Sequence, residues 1–403
     1  MLFTPDRHEA LDERLWSEAT ARAAIARIAD RAERELDRTS GRWPLDPADV
    51  DGDDTRPLGG LYMGAAGIIW ALTELAAEGL LASRPGDSDL VDRLETGLLA
   101  EPEDIDDGGN SVWFGAPGAF AVGERLSPDA ARRDRLAEMI AASLDSPALE
   151  PLFGHPGHMV LAAQLHARTG EARWADLWSA GAERLLETWH HDEALGAWLW
   201  TQRLAGHDAR YVGPAHGLVG NVHTLLRGEA LLAPKRRVEV EQRAVESLMR
   251  LAVVENGRAN WPPGAEGPLE QNGRIRVQWC HGAPGVLTGL ADVARDDVAW
   301  SALMVAAGQL VWEAGPIRDD SGLCHGTAGN AYALLALWRR TGDEQWLERA
   351  RAFAQHAAGQ VEARVERLGH GRHSLFTGDE GVALCLASCV AGDARLPIAD
   401  RLL

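Results

Sequence analysis

"RVQWCHGAPGV", residues 276–286, sets Cys280 and His281 directly before Gly282, with Gly285 three residues further on. "GLCHGTAGN", residues 322–330, repeats the arrangement with Cys324, His325, Gly326 and Gly329. The shared punctuation is a Gly-x-x-Gly that opens an apolar run, and the chain carries it five more times. It stands in "LYMGAAGIIWAL" (Gly64, Gly67), "VWFGAPGAFAV" (Gly115, Gly118), "PLFGHPGHMVL" (Gly154, Gly157), "PAHGLVGNVHTL" (Gly217, Gly220) and "LFTGDEGVALCL" (Gly378, Gly381). Successive copies are 39 to 65 residues apart, room for two helices each.

The segments between the copies are charged and amphipathic, with apolar residues recurring at three and four. This spacing predicts surface helices over 13–36, 131–144, 173–189, 236–251 and 343–362. The runs after each glycine pair are more uniformly apolar, as inner helices are. Strand-like alternation persists nowhere, and the longer gaps, 158–216 and 221–281, read as loops within one domain covering 1–403. An outer and an inner helix repeated seven times predict an all-α fold closed into a double ring, because closure removes the bare ends of an open array. The inner-helix N-termini would then gather at one rim. Their free N–H groups would make that rim electropositive.

A formal net charge of −20 argues against nucleic acid or an anionic membrane as the main partner. The first residues lack a basic start followed by an apolar stretch, and no apolar run approaches membrane-spanning length. Four cysteines in 403 residues are no disulfide scaffold. These features predict a reduced, cytoplasmic protein. Cys385 and Cys389 read as buried small hydrophobes. The 15 tryptophans suit a core, or a groove that grips peptide or sugar.

Equivalent positions of adjacent repeats are neighbours in a ring, so Cys280, Cys324 and one or both of His281 and His325 would meet at the rim. Two thiolates and one imidazole make a zinc set with an open fourth position; two of each would close it. An open zinc site rich in thiolate activates an incoming thiol as readily as water.

"WCHGAPG" followed by "CHGTAGNAYALL", with the earlier "AHGLVGN", resembles the lanthionine synthetase C-like family, and the resemblance runs through all seven glycine pairs. It implies an (α/α)7 toroid, and zinc held by Cys280, Cys324 and His325. It also implies addition of a peptide cysteine to dehydroalanine or dehydrobutyrine, closing a (methyl)lanthionine thioether ring. By the same resemblance His216 is the acid/base histidine and Arg276 the cation that faces the developing enolate. Two positions depart from the lantibiotic cyclases. Glu150 stands where aspartate is expected, and His281 where nisin-type cyclases carry tyrosine; eukaryotic-like relatives carry histidine there. His281 is therefore a further candidate proton donor, whereas His155 and His158 read as solvated or capping residues.

The implied partners are a dehydrated precursor peptide, or a protein containing dehydroamino acids, and a separate dehydratase. Glutathione as the added thiol is the first alternative, and a non-catalytic zinc-stabilised peptide-binding scaffold the second. A glycosidase or terpene cyclase on a similar ring would need paired carboxylates. Glu150, Asp379 and Glu380 are the acids near the glycines, and the sequence pairs none of them.

Overall fold

The computed structural model describes residues 1–50, 52–84, 86–103, 110–228 and 230–403. Among the described residues fourteen α-helices alternate between an outer and an inner layer. In chain order they are α1 (Glu18–Glu35), α2 (Ala65–Ala77), α3 (Asp87–Ala100), α4 (Ala116–Leu126), α5 (Ala130–Ser143), α6 (His155–Thr169) and α7 (Ala172–Thr188). They continue as α8 (Leu218–Arg227), α9 (Pro234–Leu251), α10 (Ala283–Leu290), α11 (Val298–Ala314), α12 (Thr327–Thr341), α13 (Glu344–Leu368) and α14 (Asp379–Ala391). The odd-numbered helices are the outer ones. All five predicted surface helices are present, joined by α3 and α11.

The even-numbered helices are buried on nearly every face, and they pack in sequence: α6 on α8, α8 on α10, α10 on α12, α12 on α14, and α14 back onto α2. The ring therefore closes last repeat to first. A polar clamp reinforces the seam. His373, just before α14, is buried between Glu380 (2.8 Å) and Glu35 of α1 (2.9 Å), and Asp379 lies 3.4 Å from Arg31. Burial disfavours the His373 charge, but Glu380 and Glu35 outweigh it and raise its pKa to about 10. The acids near the last glycine pair are thus committed to ring closure.

Each inner helix begins on the first glycine of its pair, and none of these N-termini carries a side-chain cap. At α2, α8, α12 and α14 the first N–H groups are nonetheless not free. In α12, Thr327, Ala328 and Gly329 donate to the carbonyls of Asp320, Ser321 and Gly322, and Leu218 and Val219 of α8 do the same to Tyr211 and Val212. The loop folds back on its own helix start, which corrects the expectation of an exposed row of donors. The second glycine is the consequence. A Cβ on Gly329 would land on the carbonyl oxygen of Leu323, and the residue six positions upstream plays this part at all seven second glycines.

The long gaps hold more order than the sequence suggested. Besides α7 and α9 they carry four two-stranded hairpins: His190–Asp192 with Ala197–Leu199, Gln202–Leu204 with His207–Ala209, Val253–Glu255 with Arg258–Asn260, and Glu270–Gln271 with Arg274–Ile275. Strands of two or three residues are too short to register as alternation. The tryptophans serve the core: Trp70, Trp174, Trp178, Trp200, Trp261 and Trp300 are fully buried. Cys385 and Cys389 are buried free thiols, as expected.

Two outcomes are expected. Gly329→Ala should destabilise the fold by about 2–3 kcal/mol in chemical denaturation, because backbone must move. Gly97→Ala, in outer helix α3 where an added Cβ finds only Arg42 Nη2 at 3.8 Å, should instead stabilise it by about 0.5–1 kcal/mol. Because the His373 pKa is raised from 6.5 to about 10, its contribution is complete below pH 6.5 and is lost as pH climbs to about 10. His373→Gln should therefore flatten the decline of melting temperature across that window.

Candidate active site

Two positions before each first glycine stand equivalent residues of the seven repeats: Tyr62, Trp113, Leu152, Ala215, Cys280, Cys324 and Phe376. Backbone hydrogen bonds string most of them together. Cys280 N–H donates to Cys324 O (3.1 Å), Cys324 N–H to Phe376 O (2.9 Å), Phe376 N–H to Tyr62 O (3.0 Å) and Tyr62 N–H to Trp113 O (2.8 Å). Cys280 and Cys324 are therefore fixed side by side by main chain, and both are buried.

Each thiol also has an outside donor. Gln278 Nε2 lies 3.0 Å from Cys280 Sγ, and the Tyr62 hydroxyl bonds to the Cys324 sulfur. The hydrogen bond from Cys324 holds the Cys280 thiol well below its usual range, against the opposing effect of burial. Cys324 is pushed the other way, first by that shared bond and then by burial. The pair gives up one proton readily and keeps the second.

His325 is tied to a carboxylate through one ring nitrogen. Its Nε2 lies 3.2 Å from Asp320 Oδ2, and Asp320 also accepts from the Gly322 N–H. Among the described residues no three His, Cys, Asp or Glu side chains converge as a metal cage. The donor chemistry still fits zinc: two adjacent buried thiols, and an imidazole whose far nitrogen is fixed by a carboxylate, as metal-binding histidines usually are.

The residue directly before the first glycine is histidine in three consecutive repeats: His216, His281 and His325. Glu150 is fully buried and accepts from the N–H groups of Leu152 (3.0 Å) and Phe153 (2.6 Å), and its Oε2 meets His216 Nδ1 at 2.9 Å. Two backbone donors fix the carboxylate as an acceptor, so Nδ1 carries the proton it shares. The longer glutamate reaches its histidine from a fully buried position. Phe153 stacks on the His216 ring at 5.8 Å, and Tyr211 stands between His216 and His281, 5.9 and 6.1 Å from their ring centres.

His281 is half-buried, and its enclosed Nδ1 has no hydrogen-bond partner; desolvation, with His216 and Arg276 nearby, keeps its pKa down against the pull of Cys280. Arg276 is half-buried with Nη1 enclosed and unpartnered, and its carbonyl accepts from Asn260 Nδ2. Asn260 Oδ1 in turn accepts from Ala283 N–H, and Gly282 makes the turn at φ +98°, a value that favours glycine. His155 and His158 are turned into the protein interior. Both are buried in the first turn of α6, where burial lowers their pKa to about 4, so the solvated reading is overturned.

Sequence reasoning missed Tyr62, Asn260, Gln278 and Asp320. Tyr62 alone had a signal, since it occupies the repeat position of the two cysteines.

A family model described as "Lanthionine synthetase C-like protein" matches residues 58–401. Over 177 residues the chain is 34% identical to "Glutathione S-transferase LANCL1" of Danio rerio, covering 43% of this chain and 39% of that protein. Over 187 residues it is 33% identical to "LanC-like protein GCL1" of Arabidopsis thaliana, covering 45% and 40%. The chain thus spans about two fifths of these relatives' length. Among solved structures, "Nisin cyclase" superposes with a TM-score of 0.62 over 92% of this chain and 94% of that one. The Lin0763 protein from Listeria innocua does so with 0.52 over 93% and 98%. Identities of 15% and 11% make these likenesses of fold. No helix among the described residues is long and apolar enough to cross a membrane.

Replacing Glu150 by Gln puts an amide N–H₂ against three donors in a fully buried place. A loss of about 2 kcal/mol in denaturation is expected, and the His216 Nδ1–H proton resonance should move upfield as its acceptor is lost.

Proposed function

The chain belongs to the lanthionine synthetase C-like family, and from that premise we propose that it is a zinc-dependent enzyme adding thiols to dehydroamino acids. The observation that carries this reading is the main-chain bond from Cys280 to Cys324, which sets two buried sulfurs together on the rim that also bears His216 and Arg276. Cys280, Cys324 and His325 would hold the metal, the last through Nδ1, since Nε2 is on Asp320. Bound zinc would lower the pKa of a substrate thiol at its open position, so that the thiol reacts as thiolate near neutral pH.

The substrate is a peptide carrying both cysteine and dehydroalanine or dehydrobutyrine. The sulfur forms a bond to the β-carbon, the double-bond electrons move toward the adjacent carbonyl as an enolate, and a proton added at the α-carbon completes the (methyl)lanthionine. The thiol's own proton passes to solvent. Arg276, with Nη1 unpartnered, is the cation for the enolate. His216 delivers the α-proton from Nε2, while Glu150 at Nδ1 orients the ring and stabilises its charged form. His281 sits on the same arc as a second proton carrier. Dehydration falls to a separate enzyme, and the whole reaction belongs in the cytoplasm.

Glutathione as the nucleophile is a second reading. It is favoured by His281 and by the match to a relative named a glutathione S-transferase.

The test is a dehydrated, cysteine-containing peptide incubated with zinc-loaded protein, followed by alkylation of the remaining thiols. Ring closure without added thiol is expected, and His216→Asn should slow it about a hundredfold. A glutathione adduct appearing only when glutathione is supplied would select the second reading. If the peptide stays fully alkylatable and unmodified under both conditions, the protein is no such enzyme, and the zinc-bearing peptide scaffold takes its place.

A further inference from the structure

Residues Leu2 to Glu9 precede the first repeat, yet they are fastened over the fifth and sixth. Asn260 Nδ2 donates to Leu2 O (2.9 Å), Ile275 N–H to Thr4 Oγ1 (2.8 Å), Arg318 N–H to Arg7 O (2.9 Å) and Glu9 N–H to Pro316 O (3.0 Å). His8 Nδ1 meets Gly315 O at 2.9 Å. The segment roofs a cavity of about 180 Å³ bounded by Arg7, His8, Arg274, Arg276, Gln278 and His325, with Ile275, Val277 and Ile317 supplying apolar wall. Gln278 is the residue whose amide touches Cys280 Sγ, so the cavity opens beside the paired thiols.

Its charge is anomalous for this molecule. The chain carries −20, and most of its arginines pair with carboxylates, but among the described residues no acid lines this cavity. Among the described residues the Arg7, Arg274 and Arg276 guanidinium groups form no ion pair, and Nη1 of Arg276 is enclosed without an acceptor. Three like charges around one small space repel each other unless an anion enters. Two planar forks can grip a carboxylate through paired N–H bonds.

We propose that this cavity is a specificity subsite for a carboxylate carried close to the reacting thiol, gripped by Arg7 and Arg274 beside Arg276. The inference rests on the thiol-addition reading and adds a preference to it: substrates whose cysteine lies near an acidic group are favoured. The carboxylate is either an aspartate or glutamate side chain of the peptide, or the acid of a small free thiol. Both present the same group to the same forks.

The test uses the full-length zinc-loaded protein and two dehydrated peptides that differ only in Glu or Gln next to the reacting cysteine. Kd comes from calorimetry and kcat/KM from thiol alkylation. A second arm compares 3-mercaptopropionate with 2-mercaptoethanol as added nucleophile on a cysteine-free dehydrated peptide. The Glu peptide should bind and react about tenfold better at low salt, a difference that shrinks as salt rises. Arg274→Gln and Arg7→Gln, both at exposed positions, should each bring the Glu-to-Gln ratio toward one. Discrimination in the first arm alone assigns the subsite to peptide side chains; discrimination in the second assigns it to free thiols. Equal treatment of the members in both arms by the wild-type protein overturns the proposal, as does a ratio unmoved by either substitution. If nothing is turned over, the functional reading fails, and the Kd ratio still decides the subsite.

Discussion

A carbonyl oxygen occupies the place where a Cβ would stand at the second glycine of every repeat. This contact lets the loops before α2, α8, α12 and α14 fold back onto the start of their own inner helix and satisfy N–H groups that would otherwise be orphaned. It also leaves the residues just upstream lying flat around the rim, where their main chains bond to those of the next repeat. Cysteine and histidine placed at these positions are registered by backbone, without help from their side chains. The ring is therefore the device that aligns the chemistry, and the glycines are what allow the ring.

On that frame the rim divides into two arcs. One carries Glu150, His216, Tyr211 and His281, a buried carboxylate with neighbouring imidazole and phenol groups suited to moving a proton. The other carries Cys280 and Cys324 with Gln278, Tyr62 and Asp320 around them. The sulfurs are desolvated and share a proton, an arrangement in which a soft divalent cation gains both charge neutralisation and good ligands. Arg276 and the N-terminal segment stand beside this second arc and bring positive charge to a molecule that is acidic elsewhere.

Much of this was legible in the sequence, and the part that was not has physical causes. The glycine pairs and the three-and-four periodicity of the intervening segments gave both helix layers and their order, since these are local properties of the chain. The two Cys-His pairs gave the sulfur arc once ring closure made repeat positions into neighbours. The hairpins of the long gaps were invisible because two- and three-residue strands leave no period. The burial of His155 and His158 was missed because a histidine in the first turn of a helix looks the same in sequence whichever way the helix faces. Gln278, Asp320 and Asn260 are ordinary polar residues whose importance lies in what they touch, and Arg7 reaches the site only because residues 2–9 lie across a distant pair of repeats.

The central claim is that neighbouring repeats supply two sulfurs to one metal ion, and X-ray absorption at the zinc edge of the purified protein addresses it most directly. The account predicts one zinc per chain with two sulfur scatterers at about 2.3 Å and two lighter nitrogen or oxygen atoms at about 2.0–2.1 Å. One sulfur should disappear in Cys324→Ser. A shell of nitrogen and oxygen alone, or a protein that takes up no zinc, would contradict it.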